Sequence, residues 1–285
     1  MNTRQGQPYK PTIVYTDLDG TLLDHETYSF ADALPALNKL KICKIPLVVV
    51  TSKTMAEVLV LVKKMDLHHP VIVENGSAIA FPLDYFDNDD SYSLQGGYLI
   101  NRVTETYASI VEILNEIKQD NGYAFEGFSD MTAQQVVNHT GLSITEAENA
   151  KKRSCTEPLI WRDSESHRLA FEKKLALYNL TLVKGGRFWH VMGDASKGNA
   201  IQILNKLYQD KFNLNFTTIG LGDSPNDISM LNVVDCPVVV KSIEGRWMEF
   251  EAKKRYVKTE FSGPKGWNEF ILNYLVSMEN DGVTN

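Results

Sequence analysis

The chain has 285 residues, of which 43% are hydrophobic and 23% charged, and its formal net charge is -7. This length allows a large buried core and predicts two domains, whereas the acidic balance argues against a nucleic-acid partner held by electrostatic attraction. Three scattered cysteines predict reduced thiols in a cytoplasmic protein, and apolar runs too short for a signal peptide or a bilayer span predict no membrane partner.

The first part of the chain alternates short apolar runs with segments of helical spacing. The predicted elements are strands at 13–15, 45–50 and 71–73 and helices at 30–43 and 55–65. Strands and helices in this order, joined by short loops, predict parallel strands with right-handed crossovers. Ligand sites in such sheets lie at the carboxyl ends of the strands, and Asp17, Ser52 and Asn75 each lie just past such an end.

The pattern changes near Asp84, where a stretch rich in Asp, Ser, Asn, Gly and Tyr leads to Gly97 and is typical of a crossing between domains. The elements predicted beyond it are helices at 104–120, 133–139, 144–153 and 164–178, strands at 123–128 and 158–161, and a β-hairpin of 182–184 and 188–192 around Gly185-Gly186. Because this mixture differs from the preceding alternation, we predict an inserted domain of residues 85–191.

The strand–helix alternation then returns. The predicted elements are helices from Ser196 to about Tyr208, at 228–233 and at 267–278, with strands at 216–221 and 237–240. The predicted fold class is therefore α/β, a doubly wound, Rossmann-like parallel sheet formed by residues 1–84 and 192–285 and interrupted by a mixed α+β insert.

The segment Asp-Leu-Asp-Gly-Thr at 17–21 places two carboxylates at the end of the first predicted strand. Side chains alternate along an extended chain, so Asp17 and Asp19 point the same way. Gly20 permits a sharp turn, and the amides that follow Asp17 can line an anion-binding nest. Two neighbouring carboxylates repel each other unless a cation lies between them, and Mg²⁺ prefers such hard oxygen ligands.

Four segments in order resemble the haloacid dehalogenase (HAD) superfamily of phosphatases. They are Asp-Leu-Asp-Gly-Thr at 17–21, Thr-Ser at 51–52, Lys197 before an amphipathic helix, and Gly-Asp-Ser-Pro-Asn-Asp at 222–227. The large insertion between the second and third segments is typical of the mixed α/β cap domain in this superfamily. The resemblance therefore implies phosphoryl transfer with a cap over the substrate.

Phosphoryl transfer needs a nucleophile, neutralisation of charge and protonation of the leaving group. Asp17 can attack phosphorus and form an aspartyl-phosphate, while Asp19 can act as the acid and then the base. We expect Asp17, the backbone carbonyl of Asp19, and Asp223 to hold Mg²⁺. Ser52 and Lys197 are predicted to bind the phosphate group. Asn226 and Asp227 are predicted to orient the residues that contact the substrate or the metal.

Shorter segments resemble the mannosyl-3-phosphoglycerate phosphatase family. They are Thr-Ser-Lys-Thr at 51–54, Glu-Gly-Phe-Ser-Asp-Met at 126–131, Arg153 followed by Glu-Pro-Leu-Ile-Trp at 157–161, and Gly-Gly-Arg-Phe-Trp-His-Val-Met-Gly at 185–193. The resemblance implies hydrolysis of mannosyl-3-phosphoglycerate, a phosphorylated sugar-glycerate, to mannosylglycerate by a monomer or small homo-oligomer. The predicted substrate contacts are Lys53, Asn75, Glu126, Arg153, Arg187 and His190.

Three other functions fit the same sequence. A broader sugar-phosphate phosphatase, or one preferring the glucosyl substrate, follows if the site is not built around the one hydroxyl that distinguishes mannose from glucose. A phosphomutase also needs an aspartyl-phosphate and would require a bisphosphate activator. A phospho-ligand sensor without turnover is disfavoured, because binding alone needs no nucleophile paired with an acid.

Overall fold

The computed structural model describes residues 11–87, 91–185 and 187–280. It divides into two compact units. The first takes in the described chain up to Val48, Leu204–Asp223, and the described chain from Leu231 onward. The second takes in the described residues of Val49–Ile203 together with Ser224–Met230. The predicted boundaries of the insert at residues 85 and 191 stay a prediction.

The strands, in chain order, are β1 Thr12–Thr16, β2 Leu47–Val50, β3 Val71–Val73, β4 Ala78–Pro82, β5 Ser93–Gln95, β6 Tyr98–Arg102, β7 Phe125–Gly127, β8 Thr156–Trp161, β9 Leu180–Lys184, β10 Trp189–Gly193, β11 Thr217–Gly222, β12 Cys236–Lys241 and β13 Val257–Ser262. Short 3₁₀ turns lie at Ala31–Ala33, Glu74–Gly76 and Pro225–Asp227.

The α-helices are α1 Leu34–Ile42, α2 Met55–Lys64, α3 Tyr107–Asn121, α4 Ala133–Thr140, α5 Ile144–Ala150, α6 Glu165–Ala176, α7 Lys197–Phe212, α8 Ile228–Val233 and α9 Gly263–Asn280. Capping residues explain several of these limits. Helix α2 begins at a capping box in which Thr54 and Glu57 bond each other's backbone amides. Helix α3 ends at Gly122, whose left-handed backbone terminates the helix. None of the helices of the described chain has the length and apolarity needed to cross a membrane.

The first unit contains strands in the order β13-β12-β11-β1, and each neighbouring pair is parallel. Strand β1 is buried along its whole length because it is an apolar, β-branched run. Helix α9 packs against α1 and β13 within this unit. The parallel arrangement puts the carboxyl ends of β1 and β11 at one edge, where Asp17 and Asp223 follow them.

The second unit contains two sheets. At the end of β2, Val49 and Val50 pair in parallel with β3, and the antiparallel strands β4, β6 and β5 continue that sheet. A separate antiparallel sheet has the order β7-β8-β10-β9. Its apolar core lies against α3 and α6, through residues such as Leu114 and Phe171.

The predicted α/β class is confirmed, and most predicted elements are present within a few residues. The predicted hairpin is the antiparallel pair β9–β10, although Gly186 in its turn lies outside the described residues. Strands β4, β5, β6 and β13 were not predicted. Strand β4 is an apolar run buried at every position, so the sequence did carry a signal for it, whereas β13 is mostly exposed and lacks an apolar run.

Candidate active site

Asp17 follows the buried strand β1 directly and its side chain is itself largely buried, with 5% of the residue exposed. Its backbone amide donates to the carbonyl oxygen of Leu221 at 2.9 Å. The hydroxyl of Thr16 donates to the Asp17 carbonyl at 2.7 Å and accepts from the indole nitrogen of Trp267 at 3.0 Å. The backbone at Asp17 is therefore held by β11 on one side and by α9 on the other.

The turn after Asp17 brings the first motif against Asp223. Gly20 has a φ of +83°, which side-chain-bearing residues rarely adopt, and a Cβ at this position would lie 2.7 Å from Oδ2 of Asp223. The hydroxyl of Thr21 donates to Oδ1 of Asp223 at 2.9 Å. Asp19 lies on the same turn, where it forms a backbone bridge to Leu23. Only glycine at position 20 leaves room for this arrangement.

Asp17 and Asp223 form an acidic pair inside the first unit. A carboxylate oxygen of each lies within 4.8 Å of the other. Two carboxylates at this separation repel each other, and a hard divalent cation relieves that repulsion. The donor set therefore fits Mg²⁺, with the carbonyl of Asp19 on the intervening turn as the third predicted protein ligand.

In the second unit, the predicted phosphate-binding lysine is paired with the predicted supporting acid. Lys197 is the first residue of α7, and its Nζ lies 2.7 Å from Oδ1 of Asp227. Both side chains are fully buried. The second oxygen of Asp227 accepts from the backbone amide of Ser224 at 3.1 Å. The ammonium group is thus fixed in a desolvated place, where its charge acts strongly on neighbours.

Asn75 lies in a strained turn after β3. Glu74, Asn75 and Gly76 have consecutive positive φ angles of 50°, 59° and 97°. A Cβ on Gly76 would lie 2.2 Å from the carbonyl oxygen of Ser196, so the turn passes very close to the start of α7. Nδ2 of Asn226 donates to Oδ1 of Asn75 at 3.0 Å, while Nδ2 of Asn75 is buried and has no partner among the described residues. Such strain accumulates at functional sites.

The second motif lies between β2 and the capping box of α2. The carbonyl oxygen of Ser52 accepts from Nη2 of Arg153 at 3.1 Å. Nζ of Lys53 lies 3.8 Å from a carboxylate oxygen of Glu57. The backbone of Ser52 is therefore held by helix α2, whose N-cap is Thr54, and by Arg153, which lies far away in the sequence.

Two predicted substrate contacts already bind protein groups. Glu126 forms an ion pair with Arg162 at 2.8 Å. Arg187 donates from its guanidinium to the carbonyl oxygen of Thr140, at the end of α4. Their predicted contact with substrate stays a prediction, and it would require these side chains to exchange or share partners.

His190 is buried on β10, opposite Pro158 of β8. Burial lowers the pKa of His190 to about 3, so the ring is neutral near pH 7. Three positive charges add to this shift, those of Arg153, Lys197 and Lys184. Nδ1 has no hydrogen-bond partner in the described part of the chain. A buried, unpartnered ring nitrogen among cations is a site where an oxygen of a ligand can bind.

Glu74 was not predicted, although its carboxylate is the most heavily bonded group near the second motif. It accepts the backbone amides of Ser154 and Cys155 at 2.8 and 3.0 Å and the hydroxyl of Thr156 at 2.9 Å. The sequence did hold a signal, because a glutamate directly after a buried strand is rarely left without partners. Thr21, which binds Asp223, was part of the first motif but was given no role.

The chain belongs to the haloacid dehalogenase-like hydrolases, since the model of that family matches residues 14–246. It is a phosphoric monoester hydrolase. The chain is 39% identical over 268 residues to the glucosyl-3-phosphoglycerate/mannosyl-3-phosphoglycerate phosphatase of Persephonella marina. The alignment covers 94% of this chain and 98% of that protein. The phosphatase of the same name from Methanococcoides burtonii is also 39% identical, over 92% of this chain and 97% of its own.

A solved structure supports the fold independently. BT1666 from Bacteroides thetaiotaomicron, a phosphatase of the HAD enzyme superfamily, aligns with a TM-score of 0.61 over 99% of this chain and 98% of its own. Sequence identity is 18%. The family match thus confirms the predicted superfamily, and the likeness to BT1666 shows that the two chains share a fold.

Proposed function

We propose that this protein is a Mg²⁺-dependent phosphatase that hydrolyses glucosyl-3-phosphoglycerate and mannosyl-3-phosphoglycerate to the glycosylglycerate and phosphate. The observation that carries this proposal is the 39% identity, over more than nine-tenths of the chain, to two phosphatases named for both substrates. The proposal widens the mannosyl substrate expected from sequence. Mannose and glucose differ at one hydroxyl, and a site that does not bond this hydroxyl discriminates weakly.

In the proposed reaction, the Asp17 carboxylate attacks phosphorus while the bond from phosphorus to the glycerate oxygen breaks. Asp19 gives its proton to the departing alkoxide and then removes a proton from the water that attacks the aspartyl-phosphate. Inorganic phosphate leaves and both aspartates return to their starting forms. The fixed backbone and low exposure of Asp17 support this role, because a nucleophile must be held in line with the bond that breaks.

Asp17, the Asp19 carbonyl and Asp223 are the proposed protein ligands of Mg²⁺. When bound, the cation neutralises negative charge on the phosphoryl oxygens and on the two carboxylates. The bond from Thr21 to Asp223 supports this assignment, because it orients the carboxylate of a residue that follows a strand end.

Ser52 and Lys197 are the proposed partners of the phosphoryl oxygens. The hydroxyl of Ser52 donates a hydrogen bond, and the ammonium of Lys197 offsets charge that grows in the transition state. Asp227 holds the Lys197 side chain in place, which the 2.7 Å contact supports. Asn226 orients Asn75.

For the sugar and glycerate groups, we propose Asn75 and His190 as hydrogen-bonding residues. Each has a buried polar atom without a partner in the described chain, Nδ2 and Nδ1 respectively. A substrate oxygen or hydroxyl that reached either atom would remove the cost of leaving it unsatisfied. The roles of Lys53, Glu126 and Arg187 remain as predicted from sequence.

The test is phosphate release from purified protein, with and without Mg²⁺. The substrates are glucosyl- and mannosyl-3-phosphoglycerate, 3-phosphoglycerate, and mannose and glucose phosphates. We expect Mg²⁺-dependent release that is greatest from the two glycosylated substrates and abolished by Asp17→Asn. Asp210→Asn is the matched control, since Asp210 is an exposed residue of α7. Equal release from simple sugar phosphates would contradict the substrate assignment but not the class of enzyme.

A further inference from the structure

A buried ion pair lies beside the second motif. Nε of Arg153 and Oε2 of Glu74 are 3.5 Å apart, and the two side chains are 3% and 1% exposed. A charge so completely removed from water is tolerated only when it is paired and hydrogen-bonded. Both conditions hold for Glu74, whose oxygens also receive the amides of Ser154 and Cys155.

Two of the three nitrogens of the Arg153 guanidinium, Nε and Nη2, are bonded to protein acceptors. Nη2 donates to the carbonyl oxygen of Ser52 at 3.1 Å and to the hydroxyl of Thr156, and Nε donates to the Thr156 carbonyl at 3.2 Å. The planar fork of arginine suits such simultaneous contacts, which lysine cannot reproduce. Arg153 therefore connects Ser52, two residues past the end of β2, to Thr156, the first residue of β8.

The same turn holds the backbone on both sides of Ser52. The amide of Glu74 donates to the carbonyl oxygen of Lys53 at 3.0 Å, and the amide of Asn75 donates to that of Thr51 at 2.9 Å. Together with the bond from Arg153, three consecutive carbonyl groups at 51–53 are fixed by donors. The backbone at Ser52 is thus held by the side chain of Arg153, which pairs with Glu74, and by the turn that contains Glu74.

We propose that Glu74 and Arg153 are positioning residues that fix Ser52 for phosphate binding, and that Arg153 acts through Ser52 instead of on the substrate carboxylate. The inference rests on the proposed role of Ser52. It replaces the expectation that Arg153 contacts the substrate directly. With Nε and Nη2 already on protein acceptors, Arg153 does not have two free nitrogens with which to hold a second carboxylate in a bidentate contact.

The experiment compares Arg153→Lys and Glu74→Gln on two probes, 3-phosphoglycerate and p-nitrophenyl phosphate, of which the second has no carboxylate. A displaced catalytic contact costs about 10- to 100-fold in rate, so we expect kcat/KM to fall by this factor equally on both probes. In a Ser52→Ala background, Arg153→Lys should cost less than about twofold, because residues that act as one unit are not additive.

Control variants distinguish a loss of Ser52 positioning from a loss of folding. Arg246→Lys changes an exposed arginine, 79% accessible, that pairs with Glu244, and should leave kcat/KM unchanged. Glu74→Gln/Arg153→Met removes both buried charges, and it should fold while remaining impaired on both probes. A loss confined to 3-phosphoglycerate, or an undiminished loss in the Ser52→Ala background, would overturn the proposal. Failure of the proposed substrate would instead appear in the wild-type protein, as release from p-nitrophenyl phosphate but not from the glycosyl-phosphoglycerates.

Discussion

Replacing Asp227 with asparagine tests the buried pair that it forms with Lys197. The substitution removes the negative charge 2.7 Å from the ammonium group and keeps the shape of the side chain almost unchanged. The single oxygen of asparagine can face the ammonium group, but the side-chain NH2 then lies toward the backbone amide of Ser224, whose present bond of 3.1 Å to the second carboxylate oxygen is lost. The perturbation therefore acts on charge and hydrogen bonding and hardly on packing.

The magnitude follows from the burial of the pair. Removing one member of a buried ion pair costs about 3–5 kcal/mol, because the other charge stays desolvated and uncompensated. We expect about 3 kcal/mol for Asp227→Asn, at the lower end of this range, because the single asparagine oxygen that faces Lys197 still interacts with the ammonium group as a dipole. Each kcal/mol lowers the melting temperature of a chain this large by roughly 2–4 °C, so Tm should fall by about 6–12 °C.

Thermal unfolding followed by circular dichroism measures this shift in Asp227→Asn, Lys197→Met and the double variant. The double variant should lose less stability than the sum of the single ones, because no uncompensated charge remains. Asp210→Asn breaks an exposed pair with Lys206 on α7 and should change stability by less than about 1 kcal/mol. A Tm for Asp227→Asn within about 1 °C of wild type would refute the reasoning.

Three further results are expected. Gly20→Ala should abolish Mg²⁺-dependent activity, because its Cβ would lie 2.7 Å from the Asp223 carboxylate. Gly245→Ala, at a similar φ of +79° with open space around it, should lower stability and leave activity intact. Equal activity in the two variants would contradict this explanation. The folded pKa of His190 lies below its unfolded value, so the unfolded chain binds the extra proton and stability falls as pH drops below about 6.5. Between pH 7 and pH 5, the free energy of unfolding of the wild type, measured with urea, should fall by about 2 kcal/mol more than that of His190→Gln. Parallel plots of unfolding free energy against pH would contradict the lowered pKa of His190. Mg²⁺ at a hundred times its Kd should stabilise the protein by about 2.7 kcal/mol, and an equal effect in Asp223→Asn would exclude Asp223 as a ligand.

The strand ends and their acidic residues could be predicted because the signals are local. The apolar run before Asp17 is short and bounded by a glycine turn, and a buried strand followed by such a turn has few alternatives. The same holds for Asp223, which follows an apolar run and precedes Ser-Pro-Asn-Asp. The motif order then gave the superfamily, which the family match confirms.

The partners of these residues could not be predicted, because they depend on pairing between distant segments. Nothing in the sequence around Glu74 indicates that the amides of Ser154 and Cys155 will bind its carboxylate. Arg187 likewise follows a glycine pair typical of a hairpin, and its contact with the Thr140 carbonyl depends on where α4 ends. Edge strands such as β13 escape prediction for the related reason that half-exposed strands carry no continuous apolar run.

The Glu74–Arg153 pair also limits how the chain can be recombined with its relatives. A chimera that exchanges residues 85–191 carries Arg153 into a new protein and leaves Glu74 behind. A recipient with an uncharged residue at the position of Glu74 would receive a buried guanidinium without a counter-ion and a β8 whose first residue has lost its acceptor. Grafts of this segment should therefore succeed in hosts that supply the matching carboxylate, and the Glu74 position is the first to inspect when a host is chosen.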